Sequence, residues 1–264
     1  MTKIGTIAHL VWLEVIRRKD VYVLLVLLGC LLLALASLNV FGLGGVVAYV
    51  LQIGLLMTWV FAWILAVNVS SRELPQEEIH GTIFPLLAKP ITRMELLLGK
   101  WAGAWSVVTT ATALFYALVL AVVLVRGGYT NPVAVAQGFI LHSVAIGIIV
   151  ALAIAFSTRL NHDAAAALTY VATAASFLIV PRIPAFLAVE TGLRASLLML
   201  LYNLLPNFEV FDMRRRITFD DGPAAWSTFF LALAYGLALA MVLLTIAWMA
   251  YRHKRFSRGT LASL

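Results

Sequence analysis

Residues 21–71 read VYVLLVLLGCLLLALASLNVFGLGGVVAYVLQIGLLMTWVFAWILAVNVSS and contain no Asp, Glu, Lys or Arg. A membrane-spanning helix needs about 20 apolar residues, so this stretch is long enough for two spans and a turn. The cluster Gly42, Gly44 and Gly45 predicts that the turn lies near residues 39–45. We therefore predict an integral membrane protein whose first two spans lie within residues 21–71.

The composition of the whole chain has the same bias. Of the 264 residues, 63% are hydrophobic and 12% are charged, whereas soluble domains average about 25% charged residues. This composition excludes a soluble globular domain, a disordered chain and a coiled coil. The net charge of +7 does not indicate nucleic-acid binding, because most basic residues flank apolar runs, as membrane orientation requires. We expect one membrane domain over residues 1–264 and no nucleic-acid partner.

Four further charge-free runs predict four more spans: residues 101–125, 127–158, 164–181 and 222–251. The predicted fold class is therefore an all-α polytopic membrane protein with six transmembrane helices in a lipid bilayer. Residues 2–19 have apolar side chains at helical spacing, which predicts an amphipathic helix ahead of the first span. This helix can lie in the membrane interface, or it can extend the first span into the cytoplasm.

Six spans place both termini on the same side of the membrane. If that side is the cytoplasm, thirteen of the 19 Lys and Arg residues lie inside and six outside, as the positive-inside rule favours. The model then has a cytoplasmic loop at 72–100, an external segment at 182–221 and a cytoplasmic tail at 252–264. The apolar stretch 195–208 within the external segment is too short to cross a bilayer, so we predict a helical but non-spanning segment.

The cytoplasmic loop has the pattern of a docking element. Thr92 and Glu95 have the spacing of a capping box, which predicts the start of a helix. A short amphipathic helix at this place can dock in a groove of a soluble partner, or it can rest its apolar residues on lipid. The residues alone leave both interpretations open. Ahead of the capping box come an acidic stretch, a Gly-Thr break and an apolar patch: Glu73, Glu77, Glu78, Gly81, Thr82, Ile83, Phe84, Leu86 and Leu87.

This loop resembles the cytoplasmic coupling region of the type-2 ABC exporter permease family, the transmembrane subunits of ABC transporters. The residues that carry the resemblance are, in order, Glu73, Glu78, Gly81, Thr82, Leu86, Leu87, Pro90, Arg93, Gly99 and Lys100. The order of elements along the whole chain is also similar, above all to the short six-span permeases like that of the nitrous-oxide-reductase maturation system. Pro85 departs from the family pattern, in which a helix continues at this position.

The resemblance implies the permease subunit of a bacterial ATP-driven transporter, an exporter in the cytoplasmic (inner) membrane. It implies a homodimer, or a pair with a paralogous permease, that works with two ATP-binding subunits. Those subunits would bind ATP and Mg²⁺, so this chain itself needs no cofactor. The resemblance assigns the contact with the ATP-binding subunit to the residues from Glu73 to Leu87 given above and to Arg93. The alternative is a non-transporting scaffold or anchor that recruits an extracytoplasmic partner.

The sequence contains no motif for ATP hydrolysis or other catalysis. Lys100 follows Gly99, but a phosphate-binding loop needs a second Gly where this chain has Met94, and Ser or Thr where it has Trp101. The five histidines and the single cysteine lie on different predicted elements, so we expect no metal site. The chain is therefore predicted not to be an enzyme, and ATP hydrolysis is expected in a partner subunit.

Polar residues elsewhere supply the remaining candidates. Gln52 and His142 lie within predicted spans and are candidates for lining a transport path, although His142 can simply hydrogen-bond between helices. The external segment can form a gate or a docking surface for an extracytoplasmic accessory protein, or it can lie in the interface with its arginines on lipid phosphates. Its candidate residues are Phe208, Glu209, Phe211, Asp212, Arg214, Arg215 and Arg216.

Overall fold

The computed structural model describes residues 3–37, 46–79, 91–187, 192–252 and 254. The turn predicted near 39–45 lies outside these residues. Within the described ranges the regular structure is helical, and two 3-10 turns lie at Val180–Arg182 and Phe208–Phe211. The α-helices are α1 (Lys3–Arg18), α2 (Asp20–Ser37), α3 (Val46–Ile79), α4 (Arg93–Val125), α5 (Pro132–Ser157), α6 (His162–Leu178), α7 (Ile183–Leu187), α8 (Leu193–Leu204), α9 (Arg214–Thr218) and α10 (Trp226–Arg252).

Five helical stretches of the described chain are long and apolar enough to cross a membrane. They are Val47–Glu78, Arg93–Val125, Pro132–Ser157, His162–Leu187 and Trp226–Arg252. They coincide with the second to sixth predicted spans. The first predicted span coincides with α2, whose apolar part is the shorter helix Tyr22–Ala34. Six spans therefore remain a prediction.

Helix α5 forms the centre of the bundle. Its side chains are buried without interruption from Leu141 to Ala151, because α3, α4, α6 and α10 all pack against it. A helix that is apolar on every face is stable only when other apolar groups surround it. Asn131 caps its first turn with its side-chain oxygen, and Pro132 occupies the first helical position, as both residue types favour.

Helix α1 packs along the first half of α4, and the two helices run in the same direction. Its buried residues Ile7, Val11 and Val15 belong to the predicted apolar face. This face contacts protein, and Trp12 donates a hydrogen bond of 2.8 Å from Nε1 to Oγ of Ser106 on α4. Other apolar residues of α1, such as Leu10, remain exposed.

The predicted cytoplasmic loop at 72–100 overlaps the ends of two long helices. Helix α3 continues through Pro75 to Ile79, and α4 already begins at Arg93. The prediction ended the spans at the first charged residue, but charged side chains continue these helices because they are paired with one another, as described below. At about 1.5 Å per residue, helices of 34 and 33 residues are about 50 Å long, more than the roughly 30 Å of a hydrocarbon core.

The predicted external segment also differs in its boundaries. The fifth span is predicted at 164–181. In the structure, α6 begins at His162, and a 3-10 turn and α7 continue the helical chain to Leu187. Helix α8 has 12 residues and measures about 18 Å, which is too short to cross a bilayer. The segment between α8 and α10 folds back onto α3 and α5 through its second 3-10 turn and α9.

Candidate functional site

The end of the bundle where α3 ends and α4 begins, here called the loop end, includes five helix termini besides the start of α1. They are the last turns of α3, α5 and α10 and the first turns of α4 and α6. The opposite end is called the far end. At the loop end the charged residues on both sides of residues 80–90 bind each other and their neighbours.

A buried ion cluster joins α3 to α4. Nζ of Lys100 lies 2.7 Å from Oε2 of Glu73 and 2.6 Å from Oε1 of Glu77. The side chains of Lys100 and Glu73 are only 5% and 3% exposed. Glu73 and Glu77 are one helical turn apart, so both carboxylates point to the same side of α3. A single buried charge would cost several kcal/mol of desolvation, and the cluster avoids this cost only while α3 and α4 stay together.

The end of α10 is bound to residues on both sides of residues 80–90, namely Glu78 before them and Arg93 after them. On one side, Nη1 of Arg93 donates to the backbone carbonyls of Tyr251, Arg252 and Lys254 at 2.8, 2.8 and 3.1 Å. These bonds satisfy carbonyls that a helix end leaves without intrahelical partners. On the other side, Nζ of Lys254 lies 2.7 and 2.8 Å from the two carboxylate oxygens of Glu78.

Lys254 also donates to the carbonyl of Thr158, just after α5, at 2.9 Å. The central helix is thereby attached to the same cluster. Glu78 and Arg93 are therefore both attached to the end of α10, and Glu78 is also linked through Lys254 to the end of α5.

A further polar contact joins α3 to α6. Nε of Arg72 donates to Nε2 of His162 at 3.1 Å, and Nδ1 of His162 lies 3.1 Å from Oγ of Ser71. Asp163 lies 3.7 Å from Nε2, so the residue types are those of a nucleophilic triad. Because Nε2 accepts a hydrogen bond, Nδ1 carries the proton and donates to Ser71. The imidazole therefore has no lone pair for the serine proton, and this trio holds helices together rather than activating a nucleophile.

The structure brings together some of the predicted coupling residues. Glu73, Glu77, Glu78 and Arg93 all take part in the contacts at the loop end. Together with Lys100 and Lys254 they are called the loop-end cluster below. The remaining predicted coupling residues lie outside the described ranges: Gly81, Thr82, Ile83, Phe84, Leu86 and Leu87.

Sequence reasoning did not name as site residues several side chains that form these contacts, among them Lys100, Arg72, His162 and Lys254. The sequence does contain a signal for Lys100, because a lysine more than one turn inside an apolar helix needs a partner for its charge. Lys254 is one of the basic residues that the positive-inside rule accounts for, and that rule gives no partner.

At the far end, the predicted gate or docking residues divide into two groups. Phe208 and Phe211 are fully buried. The ring of Phe208 stacks on Phe177 of α6 with centroids 4.9 Å apart, and Phe211 stacks on Tyr235 of α10 at 6.0 Å. These aromatic side chains fill the space between helices and leave no aromatic anchor for a partner at their positions.

The charged members of this segment lie nearer the surface. Arg214 forms a two-pronged ion pair with Asp212, with Nη2 2.6 Å from Oδ2 and Nε 2.9 Å from Oδ1. Glu209, Arg215 and Arg216 are exposed.

The two predicted path residues have different surroundings. His142 is fully enclosed between α3, α4 and α5, and its ring stacks on Trp59 at 4.0 Å with the planes 2° apart. Gln52 is exposed on α3 and borders a cavity beside α9. A third span residue, Gln137, binds both the N–H and the carbonyl of Ala224 at 2.8 and 3.1 Å. Gln137 thus fixes the entry to α10.

The long apolar helices define a multi-pass membrane protein. Among the described residues no three His, Cys, Asp or Glu side chains form a group that could hold a metal ion. The chain belongs to the ABC-2 family of transporter proteins, whose family profile matches residues 6–258. No curated protein sequence gives a significant match to the chain.

Proposed function

We propose that this chain is the permease subunit of a bacterial ABC exporter, and that residues 80–90 receive force from a separate ATP-binding subunit. Family membership supports the general role. The observation that supports the coupling site is the loop-end cluster, in which both flanks of this segment are attached to the core. Glu73 and Glu77 bind Lys100 on one helix pair, and Glu78 and Arg93 bind the end of α10.

These contacts have a mechanical consequence. A partner that pushes on residues 80–90 displaces the last turn of α3 and the first turn of α4 together, because the buried ion cluster joins them. Through Lys254 the same displacement reaches the ends of α5 and α10. Movement at the loop end is therefore passed to the core of the bundle rather than absorbed by a flexible loop.

The proposed topology has both termini and the loop end in the cytoplasm. Nζ of Lys3 lies 3.8 Å from Glu95, so α1 begins at the loop end, and α10 finishes there. Helices α1 and α2 lie one after the other along α4, with Gly103 of α4 against Val11 of α1 and Gly29 of α2 near Leu118 of α4. If this pair counts as the first crossing, the chain crosses six times. A homodimer bound to two ATP-binding subunits, which supply ATP and Mg²⁺ chemistry, completes the proposal.

Isolation of the tagged chain from its native membrane tests this function. We expect an ATPase with a phosphate-binding loop to co-purify with the parent chain. Burial of each large side chain of the proposed apolar patch against the partner would stabilise the complex by roughly 1.5–3 kcal/mol. Phe84→Asp should abolish co-purification or make ATP hydrolysis insensitive to cargo.

The matched control is Tyr129→Asp, which changes an aromatic residue 76% exposed in the segment after α4 at the far end. This variant should retain the ATPase. Normal membrane insertion of both variants is checked first. Full activity of Phe84→Asp would rule out this segment as the coupling site, and absence of any ATPase would favour the scaffold alternative.

A further inference from the structure

A cavity of about 290 Å³ lies between α3 and α9 at the far end. Its lining combines exposed polar and apolar groups. Gln52 and Arg215 are polar and exposed, and Leu56 and Phe219 are 41% and 61% exposed. Pockets for whole drug-sized ligands occupy about 300–1,000 Å³. This cavity therefore suits the headgroup of a larger molecule whose apolar part extends along the exposed side chains.

The charges around the cavity do not cancel. Asp212 and Arg214 both line it, but they neutralise each other through their ion pair. The guanidinium of Arg214 is further held 5.6 Å above the ring of Trp59. Arg215 has no ion pair with any residue that the structure describes, so the lining carries a net positive charge from this side chain.

A second group at the cavity has an unmet hydrogen-bonding need. Thr218 also lines the cavity, and its buried hydroxyl has no hydrogen-bond partner within the described ranges. A buried polar group without a partner is unfavourable. A ligand oxygen beside Arg215 would accept hydrogen bonds from its guanidinium, and rotation of the Thr218 side chain about χ1 would let its hydroxyl donate to the same oxygen. The side-chain amide of Gln52 adds a further donor across the cavity.

We propose that this cavity binds the anionic headgroup of an amphipathic molecule, with a phosphate or carboxylate at Arg215 and Thr218 and the apolar chain against Leu56 and Phe219. Arg is suited to such groups because its planar fork donates two parallel hydrogen bonds to their oxygens. The proposal that the molecule binds rests only on the residues that line the cavity. That the bound molecule is transported cargo rests on the proposed permease function, so the test measures binding without ATP or a partner subunit.

The experiment uses the full chain in phosphatidylcholine nanodiscs and fluorescent phosphatidic acid as the probe. Arg215→Gln should weaken probe binding at least about tenfold, because it removes a charge-assisted hydrogen bond of roughly 1.5–3 kcal/mol. Arg216→Gln is the matched control. It removes the same charge from the next residue, which is exposed but does not line the cavity, and it should change affinity less than threefold. Arg215→Lys should retain part of the affinity, and Thr218→Val should weaken binding independently.

Two outcomes would overturn the proposal. Equal affinities of the Arg215→Gln and Arg216→Gln variants would show that the probe responds to general surface charge. Displacement by inorganic phosphate as effective as displacement by unlabelled phosphatidic acid would show a site for a free anion, without a contribution from the apolar chain. A failure of coupling in the ATPase experiment leaves these binding results unaffected, so the two proposals fail separately.

Discussion

Lys100 is the residue on which the loop-end cluster depends most. It supplies the ammonium between two buried carboxylates, at 2.7 Å from Glu73 and 2.6 Å from Glu77. Lys100→Met keeps the volume but leaves both acids without this cation in a poorly solvated site. Removing one partner from a buried ion pair destabilises proteins by about 3–5 kcal/mol. We therefore expect a marked fall in the thermal unfolding midpoint of the purified chain in detergent.

A triple variant separates charge from packing. Adding Glu73→Gln and Glu77→Gln to Lys100→Met removes the uncompensated charges, and it should recover much of the lost midpoint, since neutral replacement of a buried ion cluster is often tolerated. Glu209→Gln at the exposed far end serves as the control and should leave the midpoint unchanged. A Lys100→Met variant as stable as the parent would show that the buried ion cluster does not stabilise the contact between α3 and α4.

At the scale of elements, the contact between α1 and α4 depends on two glycines one turn apart. A Cβ on Gly103 would lie 2.8 Å from Cβ of Val11 and 3.0 Å from Cα of Ala8. A Cβ on Gly99 would lie 2.7 Å from Cβ of Ile7. Small residues at this spacing let two helix backbones approach closely.

Gly103→Leu should push α1 away from α4. Trypsin should then cut faster after Lys19, the residue that separates α1 from α2 and has a φ of 58°. The rate of cleavage in detergent, followed by mass spectrometry, measures this change. The control is Gly29→Leu, because a Cβ on Gly29 meets only Leu118 at an ordinary 3.9 Å. Equal cleavage rates for the two variants would show that α1 is held by other contacts.

Sequence reasoning recovered the features that depend on local patterns. The capping box at Thr92 and Glu95 is confirmed, with the Thr92 N–H donating to Oε2 of Glu95 at 2.7 Å. The five long spans follow from uninterrupted apolar runs. The predicted loop begins at Arg72, the first charge after the apolar run, whereas α3 continues as a helix to Ile79. Whether a charge ends a helix depends on a partner such as Lys100, 27 residues away from Glu73, and spacing along the chain does not reveal that partner.

For the site as well, local patterns were predictable and contacts between residues far apart in the chain were not. The acidic residues of α3 could be named because they precede a recognisable loop. The contacts of Lys254 with Glu78 and Thr158 join residues 176 and 96 positions apart, and only the folded bundle brings them together. The burial of Phe208 and Phe211, which were candidates for a gate or a docking surface, could not be predicted for a similar reason. A short aromatic segment between spans has no sequence signal for folding inward, whereas the structure stacks it on Phe177 and Tyr235.

At the scale of the whole molecule, the described chain begins and ends at the loop end. Lys3 lies near Glu95, and Lys254 binds Glu78, so the chain must pass between the two ends an even number of times. Most Lys and Arg residues also belong to the proposed cytoplasmic side. Because basic residues are retained on the cytoplasmic side of membranes, we predict that the loop end faces the cytoplasm.

Cysteine labelling in a Cys30→Ala background tests this orientation. In the proposed topology, single cysteines at positions 2 and 259 report on the cytoplasmic side, and those at Tyr129 and Asp220, both exposed, report on the far end. In right-side-out membrane vesicles an impermeant maleimide should label positions 129 and 220, and positions 2 and 259 only after permeabilisation. Labelling of positions 2 and 220 from the same side would require an even number of crossings before α10, whereas the proposed topology has five. The proposed six-span topology, and with it a cytoplasmic docking site at residues 80–90, would then be wrong.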